Sequence, residues 1–529
     1  MNLNDFLIWI VAFWCVFLLI SLLRVPFNQI RGWLFVTIFI LAVMAGIFYL
    51  APQWTGFVGG SLWLIFVLLP LNGMRKANQL ISAGRYAEAR KLMAKLRWLH
   101  PADGWREQPD LLRALEIGQR GDMAEALTIL KRYQNNATSI GRNATVILYK
   151  MGARWEELLL WVRNDLPPKV LFEDLGVLSY YLRALGETGD LNGLLQEFDR
   201  LERHLEKRGD PATVNTVRMF ILAFCGQTEE LQKSVSISLA MLPKNMRQFW
   251  LATAEMAAGN EEVARQQLLA LHNEGDIAFR NAIALRLSQS RIDIQQVLTE
   301  SSKQILSRVA TELKHEGKYG RAVLNDKKAY ATTALILINL AVFGFTMYSL
   351  INSLGTEGYE GVLYRLGALE PGAFWAGEWW RALNATFLHA GLLHLGMNMI
   401  ALYALGSFVE RSLGIWRYLI SYFTSGIGSM LVIAILARFV AESQERITVG
   451  ASGAIMGLIG VMGAIMLSGW LREKSRVAAK NLKSILFIVV LQFLFDITHP
   501  QVSIIGHNAG LIIGFITGNL LLINWGNKK

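Results

Sequence analysis

The sequence predicts an all-α, polytopic membrane protein built of three N-terminal transmembrane helices, a soluble α-helical repeat domain and a six-helix membrane core. Three observations predict it. With 53% hydrophobic and only 18% charged residues in 529, the chain is too apolar for an ordinary soluble enzyme and too long for one domain. Long uncharged windows gather at its two ends, and about 20 apolar residues suffice to cross a bilayer. The stretch between them is rich in Leu, Ala, Glu, Arg and Gln at helical spacing, with few prolines and no strand alternation.

The first windows are 6–23 and the whole segment between Arg31 and Arg75, which contains no Asp, Glu, Lys or Arg. That segment is long enough for two crossings, 33–50 and 54–71, turned by "APQWTGFVGG". Because "MNLND" lacks a basic leader and no small-residue cleavage site follows Leu23, the first segment is expected to be a retained span. The second group comprises 331–352, 392–409, 418–437, 448–467, 484–497 and 502–523. The expected division is therefore 1–74, an N-terminal membrane region; 75–328, a helical repeat domain; and 329–529, the six-span core. Cys15 and Cys225 offer neither a disulfide framework nor metal spacing and read as packing residues.

Lys and Arg fall in alternate loops, which sets orientation. Arg24, Arg31, Arg75, Lys76, Lys327, Lys328, Arg411, Arg417, the run Arg472, Lys474, Arg476, Lys480 and Lys483, and Lys528 and Lys529 share one side if there are nine spans. That side is expected to be the cytoplasm. The opposite loops hold Arg365, Arg381, Arg438 and Arg446, three of them near Glu370, Glu378, Glu442 or Glu445. The net charge of +11 thus reads as orientation plus a basic cytoplasmic surface, with no call for nucleic acid.

Within 75–328 a turn signature recurs at Gly84, Gly121, Gly152, Gly189, Gly226 and Gly259, at spacings of 37, 31, 37, 37 and 33. A left-handed glycine can end one helix, and Asp122 or Asn260 directly after it can cap the next, with Glu125 placed to complete a capping box. Each unit then reads as a helical hairpin. Repetition near 34 residues, with the "G-x-x-x-E-A" phrase twice intact, resembles degenerate tetratricopeptide repeats, which implies a face for peptides or proteins. A helical spacer without a partner is the plainer alternative.

Polar residues in membrane spans are costly and mark functional candidates. In "EWWRALNATFLHAGLLHLGMNM", His394 and Asn398 stand four apart and so share one helix face, while His389 reads as a packing residue. In "GASGA", Ser452 opens a helix that continues through Gly453, Gly457, Gly460 and Gly463. In "IIGHNAGLIIGFITGN", Gly506, Gly510, Gly514 and Gly518 recur every four residues beside His507. Two such stripes let helices approach to backbone contact. A crossing near their outer ends brings Ser452 to His507, where a neutral imidazole can take the hydroxyl proton as the serine attacks a carbonyl. A soluble nucleophile elbow is excluded, since it needs glycine two places after the serine and Ala454 stands there.

On these residues the segment from roughly 331 to 525, somewhat over a third of the chain, resembles the rhomboid family of intramembrane serine proteases. The motifs that carry the likeness are Trp380–Arg381 in the first external loop, H-x-x-x-N at His394 and Asn398, G-x-S-G at Gly450 to Gly453, and "GHNAG" around His507 and Gly510. The resemblance implies a Ser452–His507 dyad without a third acidic member, in a water-filled cavity open to the outer face. It implies that His394, Asn398 and the Ser452 backbone N–H hold the oxyanion, and that Trp380 and Arg381 brace the external loop. Many rhomboids carry an aromatic one turn after the serine to stack on the histidine; Met456 stands there, so a looser His507 is expected.

The function so implied is endopeptidase cleavage of client proteins in or beside a transmembrane helix, with no metal or organic cofactor. Clients with helix-destabilising residues near the outer end of their span are favoured, because a helix hides its carbonyls. The rival reading is a non-catalytic rhomboid-like protein that binds and escorts transmembrane clients. Expected partners are transmembrane clients, the lipid bilayer and a cytoplasmic protein or peptide on the repeat domain. The expected location is a bacterial inner (plasma) membrane, with repeat domain and C-terminus cytoplasmic and the active site opening outward.

Overall fold

The computed structural model describes residues 3–526 apart from 23–30, 83, 100–103, 135–138, 209–210, 237–241, 273–276, 290–292, 321–327, 354–357, 440–446 and 500–501. Among the described residues nine helices are long and apolar enough to cross a membrane, three before residue 82 and six after residue 329. The chain is an all-α, multi-pass membrane protein. Of the residues used to orient it, Arg24, Lys327, Lys528, Lys529, Glu442, Glu445 and Arg446 lie outside the described set. Internal contacts divide the chain into two units, Met1–Leu313 and Lys314–Lys529.

In the first unit the spans Leu3–Ile20 and Arg31–Leu50 are followed by Pro52–Ile81, which runs without a break past residue 74 and supplies the first helix of the first hairpin. The expected boundary at 74/75 therefore falls inside a helix. Apolar residues carry that helix across the bilayer, and the polar, amphipathic stretch from Asn72 onward simply continues it. Six helix pairs follow, separated at Gly84, Gly121, Gly152, Gly189, Gly226 and Gly259. Five of these glycines adopt positive φ, whereas at the third turn Ala153, not Gly152, takes the left-handed position. Asp122 accepts from the Glu125 N–H at 3.0 Å. Asn260 makes no such cap, because its amide turns back to the Glu255 carboxylate at 2.6 Å.

The second unit begins with the end of the helix Glu300–Tyr319, whose last turn seats on the six-span bundle. Asn481 donates to the Tyr319 carbonyl at 2.8 Å, the Tyr319 ring fills the space over Gly469, and Lys318 pairs with Glu473. The first core span, Tyr330–Asn352, starts against the buried carboxylate of Glu410, which accepts from the N–H groups of Ala331 (2.9 Å) and Thr332 (2.7 Å). A negative group at a helix N-terminus meets both the orphan donors and the positive end of the dipole. The next span, Leu392–Leu413, contains a π-turn at Leu402–Gly406 and ends with Glu410 in its last turn.

At the centre stands Ser452–Glu473, hereafter the serine helix, buried over most of its length. The histidine helix, Ile504–Gly526, lies against it at backbone distance. A Cβ on Gly510 would overlap the Gly453 carbonyl oxygen, one on Gly514 the Gly457 oxygen, and one on Gly460 the Leu511 oxygen. The glycines thus interleave, each helix using the other's missing side chains. The helix Ile415–Leu436 closes the third side with Ser425 over Gly457 and Ser429 over Gly453. The remaining helix, Arg476–Thr498, begins well before the expected 484. Its first two turns carry Arg476, Lys480 and Lys483, long side chains whose charged ends can reach the interface while the backbone stays helical.

The interleaving separates glycines that must be glycine from those that need not be. Gly463, whose added Cβ would meet nothing closer than 3.8 Å, should accept alanine with little change. Gly514→Ala should lower stability by about 1–3 kcal/mol or more, because backbone cannot move aside as a side chain can. Thermal unfolding of the two variants in the same detergent checks this, and equal melting temperatures would refute it.

Candidate active site

Ser452 is the first residue of its helix, and Ala451 before it gives no side-chain cap. The first-turn N–H groups have no acceptor within the helix and lie at the positive end of its dipole, where an anion can bind. The chain enters this position through a strap. Leu369 and Thr448 form an antiparallel bridge (3.0 and 2.8 Å), and the Gly450 N–H donates to the Ala385 carbonyl at 2.9 Å. Gly450 has φ +133°, and a Cβ there would sit 2.8 Å from His394 Cε1, 3.0 Å from Nε2 and 3.7 Å from Ser452 Oγ. Backbone conformation and space both demand glycine at that point. His394 and Ser452 thus face each other across Gly450.

The external loop that carries half of the strap is braced by Arg381. Its guanidinium is buried, pairs with Glu378 at 2.6 Å and donates to the carbonyls of Tyr364 (2.7 Å) and Ala368 (2.8 Å). Trp380 packs its ring edge onto Gly367, whose φ of +98° turns the loop.

The His394 ring is oriented by its own helix start. The Ala390 N–H donates to Nδ1 at 3.3 Å, so Nδ1 is the acceptor and Nε2 carries the proton of the neutral ring. Nε2 lies on the Gly450 and serine side of the ring, next to Cε1. Asn398, buried one turn below, uses one amide proton on the His394 carbonyl at 3.1 Å and keeps the other. His389 is fully buried, with Nδ1 at 3.2 Å from the Phe387 carbonyl and its ring centroid 5.2 Å from that of His394. Burial first and then the neighbouring His394 push its pKa down to about 3, so it stays neutral.

His507 lies one turn into its helix, between Gly506 and the Gly510 that contacts Gly453. The crossing brings the Ser452 and His507 ends of the two helices together. No hydrogen bond joins Ser452 to His507 directly among the described residues; such bonds commonly tighten only when substrate is present. On its other side His507 has a partner that the sequence reading missed. Nδ1 lies 2.8 Å from Oδ2 of Asp496, whose Oδ1 accepts from Gln492 at 2.8 Å. The resemblance implies a dyad without a third acidic member; the structure adds a carboxylate beside its histidine. The signal was present: Asp496 is the one acidic residue in the span expected at 484–497, and membrane carboxylates are functional candidates by the rule applied to the histidines. Met456 is buried, and among the described residues no aromatic ring stacks on His507. The orientation expected to be loose is held from the Nδ1 side instead. No group of three or more His, Cys, Asp or Glu side chains among the described residues is placed to hold a metal.

A bundle of membrane-spanning helices with a serine at a helix N-terminus, a histidine across Gly450 and a second histidine across a glycine crossing defines a class: polytopic membrane proteins with a polar cluster among their spans. Comparison with known proteins is specific. A rhomboid domain matches residues 376–524. RHOMBOID-like protein 6, mitochondrial, of Arabidopsis thaliana is 31% identical over 222 residues, 37% of this chain and 69% of that relative. RHOMBOID-like protein 5 of the same plant is 36% identical over 162 residues, 30% of this chain and 50% of the relative. Rhomboid protease GluP of Bacillus subtilis (strain 168) is 32% identical over 200 residues, 38% of this chain and 36% of the relative. The chain belongs to the rhomboid family. It spans half the length of RHOMBOID-like protein 5, and no solved structure matches it.

Gly450→Ala tests the strap. The substitution must strain a positive φ, at about 1–3 kcal/mol, and push against the His394 ring. Labelling of Ser452 by a fluorophosphonate should slow at least tenfold while the melting temperature falls by only a few degrees. A wild-type labelling rate would show that His394 and Ser452 need not be held face to face.

Proposed function

We propose that this protein is an intramembrane serine endopeptidase that cleaves client proteins in or beside a transmembrane helix. The observation that carries the reading is the placement of Ser452 at an uncapped helix N-terminus, with His394 across Gly450 and His507 across the glycine crossing. Ser452 Oγ attacks the scissile carbonyl carbon as its proton passes to His507 Nε2. The resulting oxyanion is held by His394 Nε2–H, the free Asn398 amide proton and the Ser452 backbone N–H. Collapse breaks the C–N bond, the amine leaving with the proton from His507, and water then releases the acyl group by the same steps in reverse roles. Trp380, Arg381, Gly453, Met456 and Gly510 support this geometry without taking part in bond making.

Orientation follows from charge. His394, Ser452 and His507 begin their helices at one end of the bundle, whereas Arg411, Arg417, Arg472, Lys474, Arg476, Lys480 and Lys483 gather at the other. By the positive-inside rule the site opens to the outer face of a bacterial inner membrane and the helical hairpins lie in the cytoplasm. The division into 1–74, 75–328 and 329–529 is then one of roles: anchor, tetratricopeptide-like binding domain and protease. The hairpins cannot reach the scissile bond and act by holding a client's cytoplasmic tail or an adaptor, raising the client's local concentration.

Ser452→Ala and His507→Ala should each abolish cleavage and fluorophosphonate labelling, while His394→Ala and Asn398→Ala lower the rate about 10²-fold, the usual effect of losing one oxyanion donor, on the order of 3 kcal/mol. Peptide mapping of the labelled protein decides the nucleophile. Cleavage by the Ser452→Ala/His507→Ala double variant would replace the protease reading with the escort reading.

A second experiment addresses the hairpins. Deleting residues 1–313 leaves Lys318 and Tyr319 on the core, so a generic helix bearing small residues should still be cut in detergent. Cleavage of the native client in membranes should fall. Unchanged native cleavage would remove the tethering role.

A further inference from the structure

We infer that Asp496 is a positioning residue for His507, holding the imidazole of the proposed Ser452–His507 dyad from its Nδ1 side; this rests on the protease reading above. The carboxylate is buried, 4% exposed, near the end of a span, where burying it is costly unless both oxygens are hydrogen-bonded. Both are. Gln492 Nε2 donates to Oδ1 from one turn earlier on the same helix, and His507 Nδ1 donates to Oδ2 from the neighbouring helix, each at 2.8 Å. Gln492 has no alternative acceptor role here, so the amide fixes which oxygen remains for the imidazole.

The chemical consequence is a tautomer. A carboxylate only accepts, so the His507 proton sits on Nδ1 and the lone pair on Nε2, the nitrogen required to take the Ser452 proton. When Nε2 is protonated during attack, the imidazolium forms beside a fixed negative charge at 2.8 Å. Asp496 touches neither substrate nor reacting atoms. The buried pair also does what an aromatic stack would do, holding the ring plane against rotation in a chain that has Met456 one turn after the serine.

The other titratable groups facing His507 are few. His394 comes from the Leu392–Leu413 span and Ser452 from the serine helix. His499, on the same helix as Asp496, stacks on Phe495 with centroids 4.2 Å apart and bonds the Phe495 carbonyl at 3.0 Å. The Ile415–Leu436 helix presents Ile433, Gly428 and Thr424 to the histidine helix and brings no charge. The carboxylate of Asp496 is thus the one negative neighbour of the ring among the described residues.

The test is fluorophosphonate labelling of the full chain in detergent, followed as rate against probe concentration, with the labelled fraction counted. Asp496→Asn should lower the maximal labelling rate about 10²-fold with less than a twofold change in the half-saturating probe concentration. Asp496→Glu should recover part of the rate, and Gln492→Leu should cost a few-fold in the same direction. A merely structural role would lower the labelled fraction and the melting temperature but leave the maximal rate of the folded fraction at its wild-type value, and that result overturns the inference. If Asp496→Asn yields no folded protein, Asp496→Glu and Gln492→Leu carry the same test, and a wild-type maximal rate in both overturns it. A wild-type chain not labelled at Ser452 brings down the protease reading and this inference together; a labelled wild type beside an unaffected Asp496→Asn removes only the inference.

Discussion

The backbone contact between the serine and histidine helices is the constraint on which the six-span core depends. Lipid tails are as apolar as leucine, so two membrane helices gain little by hiding side chains from lipid and must associate by close packing. Here the closeness comes from Gly453, Gly457 and Gly460 on one helix alternating with Gly510 and Gly514 on the other, each filling the place of a side chain the partner lacks. The same contact fixes helix register. A slip of one residue would set Leu511 or Ala509 against backbone, so the relative height of Ser452 and His507 is set by packing and not by any bond between them.

The rest of the site is arranged around that fixed height. The Leu369–Thr448 bridge and the Gly450–Ala385 bond tie the entry of the serine helix to the external loop, and Arg381 ties the loop to itself through Glu378 and two carbonyls. His394 is held by the Ala390 N–H, Asn398 by the His394 carbonyl. His394 and Asn398 are thus each oriented by a backbone group. In the proposed reaction such support keeps donors aimed at where charge develops, which is worth most in a site of low dielectric.

Much of this was legible in the sequence because membrane physics leaves clear marks. Nine spans follow from runs of apolar residues, the glycine stripes announce a close crossing, and Ser452, His394, Asn398 and His507 stand out as polar groups where polarity is costly. The hairpin turns were legible too, since a left-handed residue favours glycine; Ala153 escaped because it takes that conformation against its propensity. What the sequence hid were interactions between residues distant in the chain or masked by a neighbourhood of the wrong kind. Glu410 is the buried cap of the Tyr330–Asn352 helix, seventy-eight residues beyond its Thr332 contact. Asp496 meets its partner His507 only on the following helix.

Asp496 and Glu410 show how a bilayer protein can keep carboxyl groups buried near the ends of its spans. Each is surrounded by donors that cannot be satisfied otherwise: two helix N-terminal amides and a threonine hydroxyl for Glu410, a glutamine amide and an imidazole for Asp496. Removing either partner from such a pair leaves an uncompensated buried group, which costs more than the pair contributes. The two carboxylates differ in one respect that bears on function. The donors to Glu410 are fixed backbone and hydroxyl groups whose charge never changes, so that site can only stabilise. In the proposed reaction the donor to Asp496 is a ring whose charge rises when it accepts a proton from Ser452, so the strength of the contact increases at the moment the nucleophile forms. An interaction that strengthens along the reaction path lowers a barrier, whereas one of constant strength only holds a fold.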